Sequence, residues 1–90
     1  MPFEWDEAKR RHNLAKHGVD FIDVFPLFDG EILERIDDRL DYGEARVRCF
    51  GEIDGRVYVV IYTWRRGNRR IIRARKANGR EQGEYHSRHG

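Results

Sequence analysis

The side chains best suited to chemistry in this sequence are basic and aromatic residues on two neighbouring predicted strands. They are Tyr62, Trp64 and Arg65 on the first strand and Arg73, Arg75 and Lys76 on the second. Aromatic rings stack on unpaired bases and guanidinium groups hold phosphates, so this combination is typical of single-stranded RNA binding. The alternative is that Tyr62 and Trp64 pack beneath the first helix.

RNA cleavage is a reaction that such residues can perform without a metal ion. The 2′-hydroxyl attacks the adjacent phosphate when a base removes its proton, a cation stabilises the phosphorane, and an acid protonates the leaving oxygen. Lys, Arg, His, Tyr and Glu side chains suffice for these roles, and all of them are present. Residue types alone therefore allow a ribonuclease without requiring one.

A second polar feature is a stripe along the first predicted helix. Lys9, Asn13, Lys16 and His17 follow the spacing i, i+4, i+7 and i+8, which places them on one helix face. The stripe is either a functional surface or a solvated helix side on which His17 stabilises the helix C-terminus.

Other chemistries have little support. His12 and His17 are five residues apart and do not face one another as a zinc pair at i, i+4 would. Cys49 falls on the inward side of its predicted strand, which is typical of a small core residue. The sequence has no glycine-rich phosphate loop, serine elbow or spaced carboxylate pair. We therefore expect neither a metal nor another cofactor, and neither a nucleotide hydrolase nor a glycosidase.

Length and composition limit the architecture. Ninety residues, with 39% apolar and 38% charged side chains, predict one domain over residues 1–90. A chain of this size buries only about 60 to 65% of its unfolded surface, so an active site should lie on an open face. The single cysteine, the lack of a bilayer-length apolar run and the absence of a signal peptide at Met1–Asp6 predict a cytosolic protein.

The small net charge of +2 hides an uneven distribution. Residues 1–55 hold 8 basic and 14 acidic side chains, whereas residues 56–90 hold 10 basic and 2 acidic ones. The basic C-terminal part favours a polyanionic ligand, and the acidic part favours a basic partner or keeps the protein in solution. Simple solvation of the charges is the alternative.

Local signals predict two N-terminal helices. Asp6 can cap a helix over residues 7–17, and Gly18 can end it in a left-handed conformation. Asp20 can cap a second helix, which has an apolar stripe of phenylalanine and valine side chains. Pro26 removes a backbone donor there, so this helix should be short or distorted.

Alternating apolar residues predict the sheet. The strands lie at about 32–36, 46–53, 56–65 and 69–76, with Phe3–Trp5 as an edge strand or extended entry. Asp54-Gly55 is a strong hairpin turn, and 56–65 is apolar on both faces, as a central strand would be. Asn78 and Glu81 predict a capping box for a short last helix. We therefore predict an α+β fold in which two N-terminal helices and a short C-terminal helix pack on one face of an antiparallel sheet of about four strands.

Several motifs, in order and over nearly the whole chain, carry a family resemblance. They are Phe3-Glu4-Trp5-Asp6, Lys9, Asn13, Lys16-His17-Gly18-Val19, Phe21, Asp38-Arg39, Tyr42-Gly43-Glu44, Arg46, Gly55-Arg56, Tyr62-Thr63, Arg65, Ile71-Ile72 and Ala74-Arg75-Lys76-Ala77. Together they resemble the BrnT toxins of bacterial type II toxin–antitoxin systems. Arg73 departs from the family pattern, which commonly has a small residue there.

The resemblance implies a metal-independent endoribonuclease with a RelE-like fold that cleaves RNA and inhibits translation. It implies neutralisation by a BrnA-like antitoxin with a ribbon-helix-helix domain, in a heterotetramer that binds operator DNA through the antitoxin. The residues given catalytic roles are Lys9 or His17 in proton transfer, Glu44 as a candidate general base, and Arg39, Arg46, Arg65 and Arg75 on the phosphate. The residues given RNA-binding roles are Lys16, Tyr62, Trp64, Arg73 and Lys76.

A second hypothesis comes from a different functional class. The chain contains no isolated, spacing-specific catalytic motif, so a non-catalytic module that binds nucleic acid or the acidic helix of a partner stays open. The two hypotheses differ in whether RNA is cut or only bound. RNA cleavage by the purified protein distinguishes them.

Overall fold

The computed structural model describes residues 2–39, 41 and 43–88, so the motif residue Tyr42 lies outside the described residues. The elements are β1 (Phe3–Trp5), α1 (Glu7–His17), a 3₁₀ helix (Phe21–Asp29), β2 (Ile32–Ile36), β3 (Val47–Ile53), β4 (Arg56–Arg65), β5 (Asn68–Lys76) and α2 (Gly79–His86). The strands form a five-stranded sheet in the order β1-β5-β4-β3-β2. β4 is the central strand, as its apolar character on both faces predicts.

The sheet corrects two parts of the predicted fold. It has five strands rather than about four, and it is mixed rather than antiparallel, because β1 pairs with β5 in parallel while the other neighbours are antiparallel. Phe3 aligns with Arg69, far along the chain. A three-residue strand has too short a pattern to indicate its partner, so this pairing could not be predicted locally.

The helix boundaries follow the predicted local signals. The Asp6 carboxylate accepts a hydrogen bond from a backbone N–H of the first turn of α1, and Gly18 ends the helix with φ of +70°. The Asp20 side chain caps the next segment in the same way. That segment is a 3₁₀ helix with Pro26 inside it, which is the distortion expected from the missing donor.

The two faces of the sheet are covered by different helices. On what we call the first face, the 3₁₀ helix packs on a buried cluster consisting of Cys49, Val60, Tyr62, Ile71 and Ala74. On the second face, Tyr85 of α2 packs on Phe50, Val57, Val59 and Ile61. The prediction that all helices share one face is therefore wrong. The Tyr85 hydroxyl donates to the Glu31 carbonyl oxygen at 2.9 Å and so attaches α2 to the second face.

The side chain of Asn13 attaches α1 to the edge of β5. Its Nδ2 donates to the carbonyl oxygens of Ala74 at 2.7 Å and Val19 at 2.9 Å, and its Oδ1 accepts from the Ala74 N–H at 3.2 Å. β1 covers β5 only at positions 69–71, so the Asn13 amide acts as the strand partner beyond that point. Asn13 belongs to the predicted polar stripe, but its buried amide has a structural role.

Gly51 on β3 is a position where the first face tolerates no side chain. A Cβ there would lie 2.3 Å from Cγ of Leu27 on the 3₁₀ helix. We expect Gly51→Ala to lower the free energy of unfolding by about 1 to 3 kcal/mol through overpacking, as measured by urea denaturation. In a Leu27→Ala background, Gly51→Ala should cost clearly less. Equal costs in the two backgrounds would show that the Leu27 contact is not the cause.

Candidate functional site

The polar stripe of α1 borders a groove beside β5, which we call the α1 groove. It encloses about 330 Å³ and is lined by Ala8, Lys9, His12, Asn13, Lys16, His17, Ile72 and Arg73. The helix thus brings three residues of the predicted site, Lys9, Lys16 and His17, next to Arg73 of β5. Because Asn13 attaches α1 directly to the β5 backbone, these side chains have a defined position relative to the strand.

His17 is a groove residue whose pKa is lowered by its surroundings. Burial lowers its pKa from the ordinary value of 6.5, and the positive charges of Lys16, Arg73, Arg75 and His12 lower it further. The imidazole is therefore neutral at pH 7 and has a lone pair available. A neutral histidine among cations has the character of a proton acceptor in a site that attracts anions.

Arg75 is held in place by α2. Its Nη1 and Nη2 donate to the two carboxylate oxygens of Glu81 at 2.7 and 2.8 Å. Glu81 Oε1 also accepts from the Asn78 N–H at 2.9 Å, which completes the predicted capping box. The hydrogen bonds of this pair raise the pKa of Arg75 and lower the pKa of Glu81, so both stay charged at neutral pH. A bidentate pair of this kind fixes the plane of the guanidinium group.

A second groove, the α2 groove, lies on the second face between α2 and β3. It encloses about 700 Å³ and is lined by Arg39, Arg48, Asn78, Arg80, Glu81, Gly83, Glu84 and Ser87. Arg39 donates from Nε and Nη2 to the two oxygens of Asp37, a carboxylate that is 1% exposed. The positive charge of Arg39 also acts on the pKa of Arg75. Arg75 therefore lies within the electrostatic reach of both grooves.

Arg48 and Arg80 are groove residues that the sequence prediction missed. Arg48 lies on the second face of β3, two positions from the buried Phe50, and Arg80 lies in the first turn of α2. The alternation of β3 places Arg48 on the same face as Phe50. No local sequence pattern indicates that α2 packs on that face. The groove exists only because α2 packs there.

The predicted aromatic residues do not join the basic side chains. Tyr62 is 1% exposed on the first face, where its ring packs edge-on against Phe28 at 5.7 Å and its hydroxyl donates to Glu34. Burial, together with this hydrogen bond, raises the pKa of Tyr62 to about 12. Trp64 is 54% exposed on the same face, and the Arg69 guanidinium lies 4.7 Å from its ring centroid. Tyr62 therefore offers no ring face to a base, and it packs beneath the 3₁₀ helix rather than α1.

Four further predicted residues lie outside both grooves. Lys76 is on the first face, where it lines a separate groove near Tyr58. Glu44 and Arg46 form an ion pair with each other at 3.6 Å before β3. Arg65 is exposed at the end of β4. The structure thus groups Lys9, Lys16, His17 and Arg73 in the α1 groove, and Arg39 with Arg48 and Arg80 in the α2 groove. Arg75 lines neither groove, but its charge acts on the pKa of His17.

The described part of the chain holds neither a cluster of metal ligands nor a membrane-spanning helix. Within residues 2–39, 41 and 43–88, no three His, Cys, Asp or Glu side chains converge as ligands of a metal ion would. None of the helices in these ranges combines the length and the apolar character needed to cross a bilayer.

Most of the chain is similar to a known sequence family. A family model described as "Ribonuclease toxin, BrnT, of type II toxin-antitoxin system" matches residues 5–81. The match includes the whole α1 groove, the sheet from β2 to β5 and the Arg75–Glu81 pair. No curated protein matches the chain.

Proposed function

Because the chain belongs to the BrnT family of ribonuclease toxins of type II toxin–antitoxin systems, we propose that it is an endoribonuclease that cuts RNA in the α1 groove without a metal ion. The observation that carries this proposal is the position of His17. It is a neutral imidazole in a groove that Lys16 and Arg73 also line, and the positive charge of Arg75 acts on it as well. That combination supplies both a base and stabilisation of phosphate charge in one place.

The proposed reaction is an intramolecular transfer at phosphorus. His17 accepts the proton of the RNA 2′-hydroxyl, and the 2′-oxygen forms a bond to the adjacent phosphorus. The bond from phosphorus to the 5′-oxygen of the next nucleotide then breaks. Lys9, which lines the same groove, donates the proton that the 5′-oxygen needs. The products are a 2′,3′-cyclic phosphate and a 5′-hydroxyl, so protons and bonds balance.

Cations beside His17 stabilise the charge that develops in this step. The phosphorane carries one more negative charge than the phosphodiester, and donors that are already oriented stabilise it without reorganisation. Arg75 meets that condition because Glu81 holds its guanidinium by two hydrogen bonds. Arg73 and Lys16 add positive charge at the same groove.

The wider biology of the protein is part of the proposal and depends on the family. Membership in a toxin–antitoxin family implies an antitoxin partner. We propose a BrnA-like antitoxin with a ribbon-helix-helix domain, a toxin–antitoxin heterotetramer, and binding of operator DNA through the antitoxin. We also propose that the fold is RelE-like, that the toxin acts in the cytoplasm and that RNA cleavage is its means of inhibiting translation.

The decisive experiment is incubation of purified, antitoxin-free protein with a defined single-stranded RNA in EDTA. We expect fragments with 2′,3′-cyclic phosphate ends, identified by mass spectrometry, and far fewer fragments from a folded His17→Ala control after the same time. RNA that stays intact in EDTA and is cut only after Mg²⁺ is added would contradict the metal-independent reaction. RNA that is bound but not cut, in buffer and in a translating extract, would favour the binding module instead.

A further inference from the structure

The Arg48 side chain is a cation without a carboxylate partner in the described part of the chain. Its Nε atom is buried there and has no hydrogen-bond partner, and its guanidinium carbon lies 5.4 Å from the centroid of the Phe50 ring. A buried donor without a partner is costly, so a site that keeps one requires an explanation. An anion that enters the α2 groove would supply the missing acceptor.

Neither carboxylate of the α2 groove is hydrogen-bonded or ion-paired to Arg48, although the charge of Arg48 helps to lower the pKa of Glu81 through space. Glu81 is bonded through both oxygens to Arg75, and Glu84 pairs with Arg35 at 3.3 Å. Arg80 is exposed on the same groove, and no ion pair within the described residues includes it or Arg48. Arg48 and Arg80 are therefore two cations of the groove that no groove carboxylate contacts directly.

We propose that the α2 groove is a second phosphate site for the RNA strand that is cut in the α1 groove, with Arg48 and Arg80 as its ligands. This inference rests on the proposed function, because RNA is the ligand in both grooves. The Arg75–Glu81 pair connects the two sites, because Glu81 lines the α2 groove and Arg75 is the proposed donor to the phosphate that reacts. The substrate is therefore an oligonucleotide rather than a dinucleotide.

The distance between the sites follows from the strand register. Arg75 is opposite Val59, which is opposite Phe50, so Arg75 and Phe50 are two strands apart on the second face. Arg48 is two positions further along β3. Strand spacing and residue rise then place the Cα atoms of Arg75 and Arg48 about 12 Å apart. A dinucleotide has one phosphodiester and cannot occupy both sites.

The test measures RNA binding in the absence of cleavage. Fluorescence anisotropy with labelled 2′-O-methyl hexauridine and 2′-O-methyl diuridine reports binding alone, because methylation blocks the attacking oxygen. For an Arg48→Gln/Arg80→Gln protein we expect the hexamer Kd to rise about tenfold. We also expect the slope of log K against log salt to fall by about 0.7 to 1.4, which is one to two phosphate contacts. The dimer Kd should change far less.

A matched control removes the same charge elsewhere. Arg11 and Arg66 are exposed and line neither groove. An Arg11→Gln/Arg66→Gln protein should therefore bind the hexamer as the wild type does. Circular dichroism and thermal melting confirm that both double variants are folded before their affinities are compared.

The possible outcomes separate this inference from the proposed function. Three results would overturn the second site. The Arg48→Gln/Arg80→Gln protein could bind the hexamer as the wild type does, it could lose equal affinity for hexamer and dimer, or the control protein could lose as much affinity as it does. A wild-type protein that does not bind the hexamer would overturn it as well. If the binding result is as expected but RNA is never cut, the second site stands and the ribonuclease proposal fails. If RNA is cut but the variant binds normally, only the second site fails.

Discussion

Replacing His17 by alanine is expected to lower kcat/KM for RNA cleavage by about 10² to 10⁴-fold, because the reaction loses its general base. Steady-state cleavage of a labelled oligonucleotide measures the loss. His86→Ala is the matched control, since His86 is an exposed histidine at the end of α2 and lies outside both grooves. A folded His17→Ala protein that cuts RNA at the wild-type rate would remove His17 from the mechanism.

The pH dependence adds a second readout for His17. Burial and the neighbouring cations lower the pKa of His17 below 6.5, so the base is neutral at pH 7. Acidification protonates it, and kcat/KM should therefore fall only as the pH drops below 6.5, with a midpoint under that value. His17→Ala should lose this acidic limb together with most of its activity. A midpoint above 6.5 would show that another group titrates.

Replacing Arg75 by alanine is expected to lower kcat by about 10² to 10³-fold, the loss typical for one oriented donor to the transition state. The change also leaves the Glu81 carboxylate, which is 9% exposed, without its cation. The free energy of unfolding should then fall by about 1 to 3 kcal/mol. Cleavage assays are accordingly run well below the melting temperature of the variant, which thermal unfolding measures.

Two companion variants separate the catalytic and structural effects of Arg75. Arg75→Lys keeps the charge but loses the bidentate pairing with Glu81, so it should recover part of the activity lost in Arg75→Ala. Glu81→Gln weakens the pairing but keeps the guanidinium group near the groove. It should therefore lower the free energy of unfolding, and it should lower the activity less than Arg75→Ala does. Arg75 would have only a structural role if activity in all three variants followed stability alone.

Local hydrogen bonds made the helices predictable. Asp6 caps the start of α1 and Gly18 caps its end, and α2 begins at the Asn78–Glu81 capping box, as the sequence indicates. Each of these features depends on residues within about one helical turn. The polar stripe of α1 was predictable for the same reason, since helical periodicity alone places Lys9, Lys16 and His17 on one side.

Strand register decided which residues share a surface. Val60 pairs with Ala74 and Ile61 with Arg73, so Tyr62 falls on the face opposite Arg73 and Arg75. A shift of one residue in this hairpin would reverse the arrangement. The register includes an irregularity between Ile61 and Tyr62, which no local pattern indicates. The register therefore separates Tyr62 from Arg73 and Arg75, which the sequence pattern predicts to lie on one surface.

The sequence by itself therefore determined the helix ends, the central strand, the α1 stripe and the family. These depend on periodicity and on contacts between residues close in the chain. Only the tertiary structure decided that β1 joins β5, that α2 covers the second face, and that Glu81 holds Arg75. Such contacts join residues distant in sequence, and they are selected by the packing of complementary surfaces, which local patterns do not encode.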